Sequence, residues 1–314
     1  MTLTIGVDVG GTKVLGAVVD EAGTVLAEER RETPAEDVSG TLATIVTVIS
    51  ELASGREIEA VGIGAAGWID ADRSTVLFAP NLAWESEPLR DKVAAQVGLP
   101  VVVENDANVA GWAEYRFGVA AQVTNMVLLT VGTGIGGAIV LDGGLVRGSH
   151  GIAAELGHIR VVRDGRLCGC GRHGCLEQYA SGRALVREAQ RIATERPDSA
   201  ANLLARSGGV PEQIDGLSVT AAARSGDEAA LAAFAEVGHW LGNGIADLVQ
   251  VLDPQMVVIG GGVVEAGELL LAPVREACVA ALPQRSHLQY AEIRAAEMGQ
   301  HAGVVGASDL ARRR

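Results

Sequence analysis

Residues 155–177 read ELGHIRVVRDGRLCGCGRHGCLE, a segment that contains His158, Cys168, Cys170 and Cys175. Zinc prefers a tetrahedral set of thiolate sulfur and imidazole nitrogen, and three cysteines with one histidine make a closed site of the structural type. Glycines between the cysteines allow the backbone to turn sharply from one ligand to the next. The segment therefore predicts a zinc-bound loop.

Other uses of these thiols fit the pattern less well. A disulfide would leave one of the three clustered thiols unpaired, and nothing before the first strand pattern resembles a signal peptide. A redox pair usually has two residues between its cysteines, whereas one residue separates Cys168 from Cys170. His173 could replace His158 as the nitrogen ligand. We favour His158 because it lies at the near edge of the loop, where a ligand from outside the turn can close it.

Composition limits the class of protein. The chain has 314 residues, 48% of them hydrophobic and 3% aromatic, which suits an α/β protein with a substantial core in two domains or one large one. A net charge of -14 argues against nucleic acid or an acidic membrane as the main partner. No apolar run is long enough to span a bilayer, so we expect a cytoplasmic protein without a membrane partner.

The chain opens with a strand pattern interrupted by glycines. Residues 3–9 read as a buried strand, residues 10–12 as a tight turn and residues 14–19 as the partner strand. A strand that ends in Asp8 before a glycine turn presents free N–H groups beside a carboxylate, which suits a phosphate and its metal ion. An ordinary hairpin with a solvated aspartate fits this stretch equally well.

A second segment repeats this pattern. From Met126 the chain reads MVLLTVGTGIGGAIVLDGGLVRG, again strand, glycine turn, strand, short turn and strand. The repeat suggests an internal duplication, and two such hairpins facing each other would hold a polyphosphate between them. It favours phosphate binding over an ordinary hairpin.

A dinucleotide-binding fold is excluded by context. The spacing G-x-G-x-x-G occurs after strand patterns in the segments that end at Gly67 and at Gly137. The dinucleotide fingerprint needs a helix directly after the glycines, and here strand and turn patterns follow instead. The P-loop pattern G-x-x-x-x-G-K-[ST] is absent.

The segment VVVENDANVAGWAEYRFG supplies a candidate catalytic group. Residues 101–103 read as a short buried strand, and apolar residues repeat at helical spacing from Asp106 to Gly118. Asp106 thus lies at a strand end and a helix start, where aspartate makes a good N-cap. It could also act as a general base, with Asn105 beside it to orient a hydroxyl-rich substrate.

Together, the DVGGTK opening, the ENDANVA segment, the GTGIGG turn and ELGH…CGCGRHGCLE resemble the ROK family of sugar kinases and sugar-responsive repressors. The resemblance covers the whole chain and is strongest to the ATP-dependent glucokinases of the family. It implies an α/β, actin-like or ribonuclease-H-like ATPase fold with two α/β domains flanking a cleft. The smaller domain would comprise residues 1–106 plus 302–314, and the larger one, with the zinc loop, residues 107–301.

The resemblance also implies residue roles. Asp106 would take the proton from the 6-hydroxyl of the sugar, and Asp8 would act on Mg²⁺. His158 would bind zinc through one ring nitrogen and sugar through the other. The remaining sugar-binding positions would be Gly67, Asn81, Asn105, Glu155 and Glu177. The nucleotide would be held by Gly10, Gly11, Thr12, Lys13, Thr133 and Gly134 at its phosphates and by Gly261 and Gly262 at its adenosine.

The implied function is transfer of the γ-phosphate of ATP to O6 of glucose, the first step of glycolysis. The implied cofactors are ATP, Mg²⁺ and a structural Zn²⁺, and the implied assembly is a homodimer or homotetramer. A kinase for another hexose or N-acetylhexosamine is the alternative, and so is a sugar-responsive regulator. The family's repressors carry a helix-turn-helix before the first strand, whereas here that strand begins at Leu3.

Residues after the zinc loop read as mostly helical. Long helical runs cover 181–195 and 227–251, a buried strand with a glycine turn covers 256–264, and a final helix covers 301–314. Cys278 lies in a helical pattern and is expected in the core.

Overall fold

Two mixed five-stranded sheets and a small three-stranded sheet form the framework of this protein, in a computed structural model that describes residues 2–285 and 290–313. The strands in chain order are Leu3–Val9 (β1), Lys13–Val19 (β2), Val25–Glu32 (β3), Ile58–Ala65 (β4), Trp68–Ile69 (β5), Val76–Phe78 (β6), Glu85–Glu87 (β7), Val101–Asn105 (β8), Met126–Val131 (β9), Ile135–Leu141 (β10), Gly144–Leu145 (β11), Met256–Gly260 (β12) and Glu292–Ala295 (β13).

The two large sheets share one strand order. The first sheet runs β3-β2-β1-β4-β8 and the second β11-β10-β9-β12-β13. In each, a meander of three consecutive strands is extended by two strands parallel to the first one, as β4 is to β1 and β12 is to β9. The repeated hairpin pattern in the sequence therefore corresponds to a repeated topology, and the α/β class is confirmed.

Ten α-helices complete the described fold. They are Val38–Ala53 (α1), Leu89–Val97 (α2), Asp106–Arg116 (α3), Glu177–Ala180 (α4), Gly182–Glu195 (α5), Ala201–Arg206 (α6), Gly216–Arg224 (α7), Glu228–Leu252 (α8), Glu268–Ala281 (α9) and Ala302–Arg312 (α10). The final helix ends at Arg312, and Arg314 lies outside the described residues.

The first sheet is covered on both faces. Ile5, Val7 and Val9 of β1 belong to a buried cluster with α1 residues such as Ile45 and Ile49. On the other face, residues of β2 pack with Ala113 of α3 and with the start of α10 in a second cluster. Burial on both faces explains the near-continuous apolar run of β1.

Strand register fixes one edge of the first sheet. Asp8 of β1 lies opposite Gly64 of β4, and Ala65 of β4 lies opposite Asn105 of β8, in parallel ladders. The carboxyl ends of these strands therefore meet at one edge, together with Gly67 just beyond β4. Such an edge is where ligands bind in open α/β sheets.

The strand with a glycine turn that the sequence predicts at 256–264 is confirmed. β12 ends at Gly260, and a 3₁₀ helix begins at Gly262. Gly261 has a φ of 85°, which breaks the extended conformation. The helical predictions at 181–195 and 227–251 are confirmed by α5 and α8.

The chain divides into two compact units. Unit 1 comprises Met1–Thr124, Ala138–Ala154 and Glu297–Arg314, and unit 2 comprises Asn125–Gly137 and Glu155–Ala296. Among the helices described in residues 2–285 and 290–313, none has both the length and the apolar character that crossing a membrane requires.

Candidate active site

Asp106 is the first residue of α3, but it is not the helix cap. The Oδ1 atom of Asn105 accepts a hydrogen bond of 3.0 Å from the backbone N–H of Asn108, so Asn105 is the N-cap. The prediction that Asp106 caps the helix is wrong by one residue, because either side chain suits that position. The exposed carboxylate of Asp106 is instead held at Oδ1 by the backbone N–H of Ala107, at 2.9 Å.

The amide of Asn105 connects two predicted sugar-binding positions to Asp106. Its Nδ2 donates to Asp106 Oδ1 at 3.0 Å and to the carbonyl oxygen of Gly67 at 3.0 Å. Both amide protons are therefore used within the protein, and a hydroxyl that meets Asn105 would find an acceptor. Gly67 has a φ of 123°, and a Cβ there would lie 2.2 Å from the carbonyl oxygen of Phe78, so only glycine fits.

A buried carboxylate that the sequence analysis missed directly precedes this pair. Glu104 is 1% exposed and forms ion pairs with Arg73, at 3.1 Å, and with Arg147, at 2.7 Å. Its other oxygen accepts from the backbone N–H of Asn105 and from Nδ2 of Asn108, both at 3.0 Å. A glutamate at the end of an apolar strand was the available signal, although its partners lie far away in sequence.

The first glycine turn brings Asp8, Lys13 and Asn81 into one region of unit 1. The N–H of Gly10 donates to the carbonyl oxygen of Lys13 at 3.0 Å, which closes the turn. Gly11 lies so close to Asn81 that an added Cβ would meet its carbonyl oxygen at 3.0 Å. Burial raises the pKa of the Asp8 carboxyl, and the charge of Lys13 opposes that shift. Thr12, within this turn, is exposed.

The predicted metal ligands form one cluster in unit 2. One ligand atom from each of His158, Cys168, Cys170 and Cys175 lies within 4.8 Å of all the others. Nδ1 of His158 faces the cluster, 3.6 Å from Sγ of Cys168, whereas Nδ1 of His173 lies 2.9 Å from the carbonyl oxygen of Gly165. The geometry therefore favours His158 over His173 as the nitrogen donor, and the donor set suits zinc.

Two of the three thiols in this cluster, those of Cys168 and Cys175, have a pKa above that of an ordinary cysteine. Burial raises the pKa of Cys168, and burial together with neighbouring thiols raises the pKa of Cys175 to about 12. A divalent cation would reverse this effect by stabilising the thiolates, so its binding would release protons.

The loop that carries the metal-ligand cluster and the second glycine turn both contact Glu177. Its Oε2 accepts a 3.1 Å hydrogen bond from the backbone N–H of Ile135, and its Oε1 lies 3.6 Å from Sγ of Cys168. A Cβ at Gly134 would lie 2.3 Å from Oε2 of Glu177, so glycine is required for this approach. Nε2 of His158 lies 3.9 Å from Oε2 of the exposed Glu155.

The turn at Gly261 and Gly262, predicted to contact the adenosine, lies beside the end of β9. Gly261 packs against Val131 at the end of β9, where an added Cβ would meet the carbonyl oxygen at 2.5 Å. Thr133 is exposed, and its carbonyl oxygen accepts a 2.8 Å hydrogen bond from Nε of Arg183, a cation that the sequence analysis did not single out. Gly262, which opens the 3₁₀ helix, is also exposed.

The predicted site residues thus lie in clusters within each unit. In unit 1 the structure brings together Asp8 with the turn at 10–13 and Asn81, and Asp106 with Asn105 and Gly67. In unit 2 it brings together the metal cluster, Glu177 and the turn at 132–135, with the Gly261 turn beside β9.

The chain is similar to known proteins along nearly its whole length. The chain is 48% identical over 312 residues to a glucokinase of Streptomyces coelicolor, an alignment that covers 99% of this chain and 98% of the relative. It is 50% identical to a ROK family glucokinase of Streptomyces griseus whose crystal structure contains glucose and AMPPNP, with a TM-score of 0.89 and coverage of 99% and 100%. It is 33% identical to a ROK hexokinase of Thermus thermophilus, with a TM-score of 0.84 and coverage of 99% and 98%.

These structural matches confirm the expected two-domain, actin-like ATPase fold. The sequence profile of the ROK family matches residues 4–314, nearly the whole chain. The chain therefore belongs to the ROK family.

Proposed function

We propose that this protein is an ATP-dependent glucokinase that transfers the γ-phosphate of ATP to the 6-hydroxyl of glucose. The observation that carries the proposal is the near-complete match, at 50% identity, to a ROK family glucokinase with glucose and AMPPNP bound. The held carboxylate of Asp106 supplies the base that such a reaction uses.

In this reaction Asp106 accepts the hydroxyl proton of the sugar as that oxygen attacks the γ-phosphorus. The bond from the γ-phosphorus to the bridging oxygen breaks, and ADP leaves with the electron pair. Asn105 and the N–H of Ala107 both donate to Oδ1, which holds the carboxylate in place for this proton transfer. The protein contributes mainly position and electrostatic stabilisation.

Phosphate binding belongs to the two glycine turns in this proposal. Gly10, Gly11, Thr12 and Lys13 form one turn, and Thr133 with Gly134 forms the other. Asp8 is the carboxylate that would hold Mg²⁺, whose positive charge would offset the cost of burying that group. Gly261 and Gly262 would contact the adenosine.

The residues that we propose for sugar binding are Gly67, Asn81, Asn105, Glu155, His158 and Glu177. His158 would bind zinc through Nδ1, which leaves Nε2 for a hydroxyl. Zinc, held by this histidine and the three cysteines, would supply folding free energy to the loop. Resemblance to the ROK sugar kinases supports a cytoplasmic homodimer or homotetramer.

A coupled assay of purified protein tests the proposal. ATP or polyphosphate would be offered with glucose, mannose, N-acetylmannosamine, N-acetylglucosamine and fructose in turn. The proposal predicts the highest kcat/KM for glucose with ATP. A higher value for an N-acetylhexosamine would replace the substrate assignment, and the absence of phosphorylation with every pair would refute the kinase.

A further inference from the structure

The buried carboxylate of Glu104 joins three segments of unit 1. Arg73, in the turn after β5, and Arg147, in the loop after β11, both contact Oε2. The Nε atom of Arg147 forms an ion pair with Oε2, but its angles do not make a hydrogen bond. The Nη atoms of Arg147 donate to the carbonyl oxygens of Asp70 and Ala71 at 2.8 and 2.7 Å. The third segment is the start of α3.

The other oxygen of Glu104 faces the residues around Asp106. It accepts from the backbone N–H of Asn105, the residue before Asp106, and from Nδ2 of Asn108, the residue two positions after it. A carboxylate that is 1% exposed is tolerated only with partners of this kind, and such a network allows few alternative geometries. The backbone on both sides of Asp106 is therefore fixed from within the protein.

The side chain of Asp106 is exposed, so its direction depends on polar contacts. The direction of a short carboxylate follows from its backbone and from the Asn105 amide that donates to it at 3.0 Å. Displacement of a catalytic group by about 1 Å can lower a rate roughly 100-fold.

We propose that Glu104, neutralised by Arg73 and Arg147, is a positioning residue that directs the Asp106 carboxylate toward the sugar hydroxyl. This inference rests on the proposed function, since it assigns Glu104 a role in the same reaction. Glu104 acts through the backbone and through Asn105, not on the substrate.

Glu114 provides a matched control on the same helix. It is also 1% exposed, and it accepts backbone hydrogen bonds from Val119, Glu297 and Met298 at 3.1, 2.8 and 2.7 Å. These contacts lie at the far end of α3 from Asp106. Replacement of either glutamate by glutamine places a donor where both oxygens now accept, so both variants should lose stability.

The experiment compares Glu104→Gln with Glu114→Gln well below the melting temperature of each. We expect kcat of Glu104→Gln to fall about 10- to 100-fold while the dissociation constant for glucose, measured by calorimetry, stays within about threefold. We expect kcat of Glu114→Gln to stay within about threefold of the unsubstituted chain. Equal kcat values for the two variants, or a loss confined to glucose affinity, would overturn the inference.

A milder substitution covers the case in which Glu104→Gln does not fold. Arg73→Met removes one partner of Glu104 at a side chain that is 25% exposed, and it keeps the pair with Arg147. It should lower kcat about three- to tenfold with unchanged glucose affinity, and an unchanged kcat would contradict the role. Asp106→Asn, measured in parallel, separates the two levels. If Asp106→Asn keeps its turnover, Asp106 is not the base. If Asp106→Asn loses turnover while Glu104→Gln and Arg73→Met keep theirs, only the role of Glu104 is wrong.

Discussion

At the scale of single residues, the structure gathers polar side chains at one edge of the first sheet. The sequence identified Asp8, Asn105 and Asp106 as the polar residues at strand ends, and the parallel register of β1, β4 and β8 brings those ends together. It did not identify which side chain caps α3, because asparagine and aspartate cap equally well and only the geometry separates them. Glu104 was missed because Arg73 and Arg147 reach it from distant segments.

Asp8 provides a prediction about pH at this scale. Its pKa is raised above the ordinary value of 3.8 by burial, so the folded chain binds that proton more tightly than the unfolded chain. The stability that this proton provides is present below the ordinary pKa and is lost as pH rises through the raised value. Asp8→Asn removes this titration. The melting temperature of the variant, relative to that of the unsubstituted chain, should therefore increase as pH rises from about 4 to about 7.

The same substitution should lower kcat by about tenfold or more, because it removes the proposed Mg²⁺ carboxylate. Calorimetry of both proteins without ligands, over that pH range, checks the first effect, and the coupled assay checks the second. If the melting temperature of Asp8→Asn falls relative to that of the unsubstituted chain as pH rises, the raised pKa of Asp8 is contradicted.

At the scale of elements, the zinc loop and the glycine turns carry the specific information. The cysteine spacing predicted the ligand cluster directly, since the four donors lie close in sequence and need only a local turn. The contact of Glu177 with the N–H of Ile135 was not predictable, because it joins segments about 40 residues apart in sequence. The strand and glycine turn predicted at 256–264 are confirmed, because β12 ends at Gly260 and Gly261 leaves the extended conformation.

Removal of zinc tests the loop. Chelation should release the restraint on residues 158–177 and abolish glucose binding, because the metal would supply folding free energy of roughly 10 kcal/mol. Cys168 and Cys175, which are 2% and 0% exposed, should then react with a thiol reagent, whereas the buried Cys278 of α9 should stay protected as an internal control. Fully active protein that contains no zinc by metal analysis would contradict the assignment.

At the scale of the whole molecule, the fold repeats one sheet topology and uses the end of the chain to complete unit 1. The repeat was visible in the sequence because both meanders have the same strand and turn pattern. The packing of α10 on the first sheet was indicated by resemblance alone, since no local pattern shows which sheet a terminal helix covers. The glycines at positions 6 and 62 of that sheet allow this close packing, because Gly6 lies against Val304 of α10 and Gly62 against Ala307.

The substitution Gly306→Ala, which adds one methyl group to α10, tests the packing of this helix. A Cβ at Gly306 would lie 1.8 Å from the carbonyl oxygen of Val109 in α3, so Gly306→Ala should lower the free energy of unfolding by about 1–3 kcal/mol. Gly216→Ala is the control, because its nearest contact is an ordinary 3.9 Å and alanine favours the helix α7. Denaturant unfolding measures both, and equal stability of the two variants would refute the close approach of α10 to α3.

The turnover of Asp106→Asn with saturating glucose and ATP most directly tests whether Asp106 is the base. Calorimetry would measure the glucose affinity of the same variant. Removal of the proposed base should lower kcat by about two to four orders of magnitude while glucose still binds. A variant that phosphorylates glucose at close to the normal rate would show that Asp106 is not the base and would contradict the account.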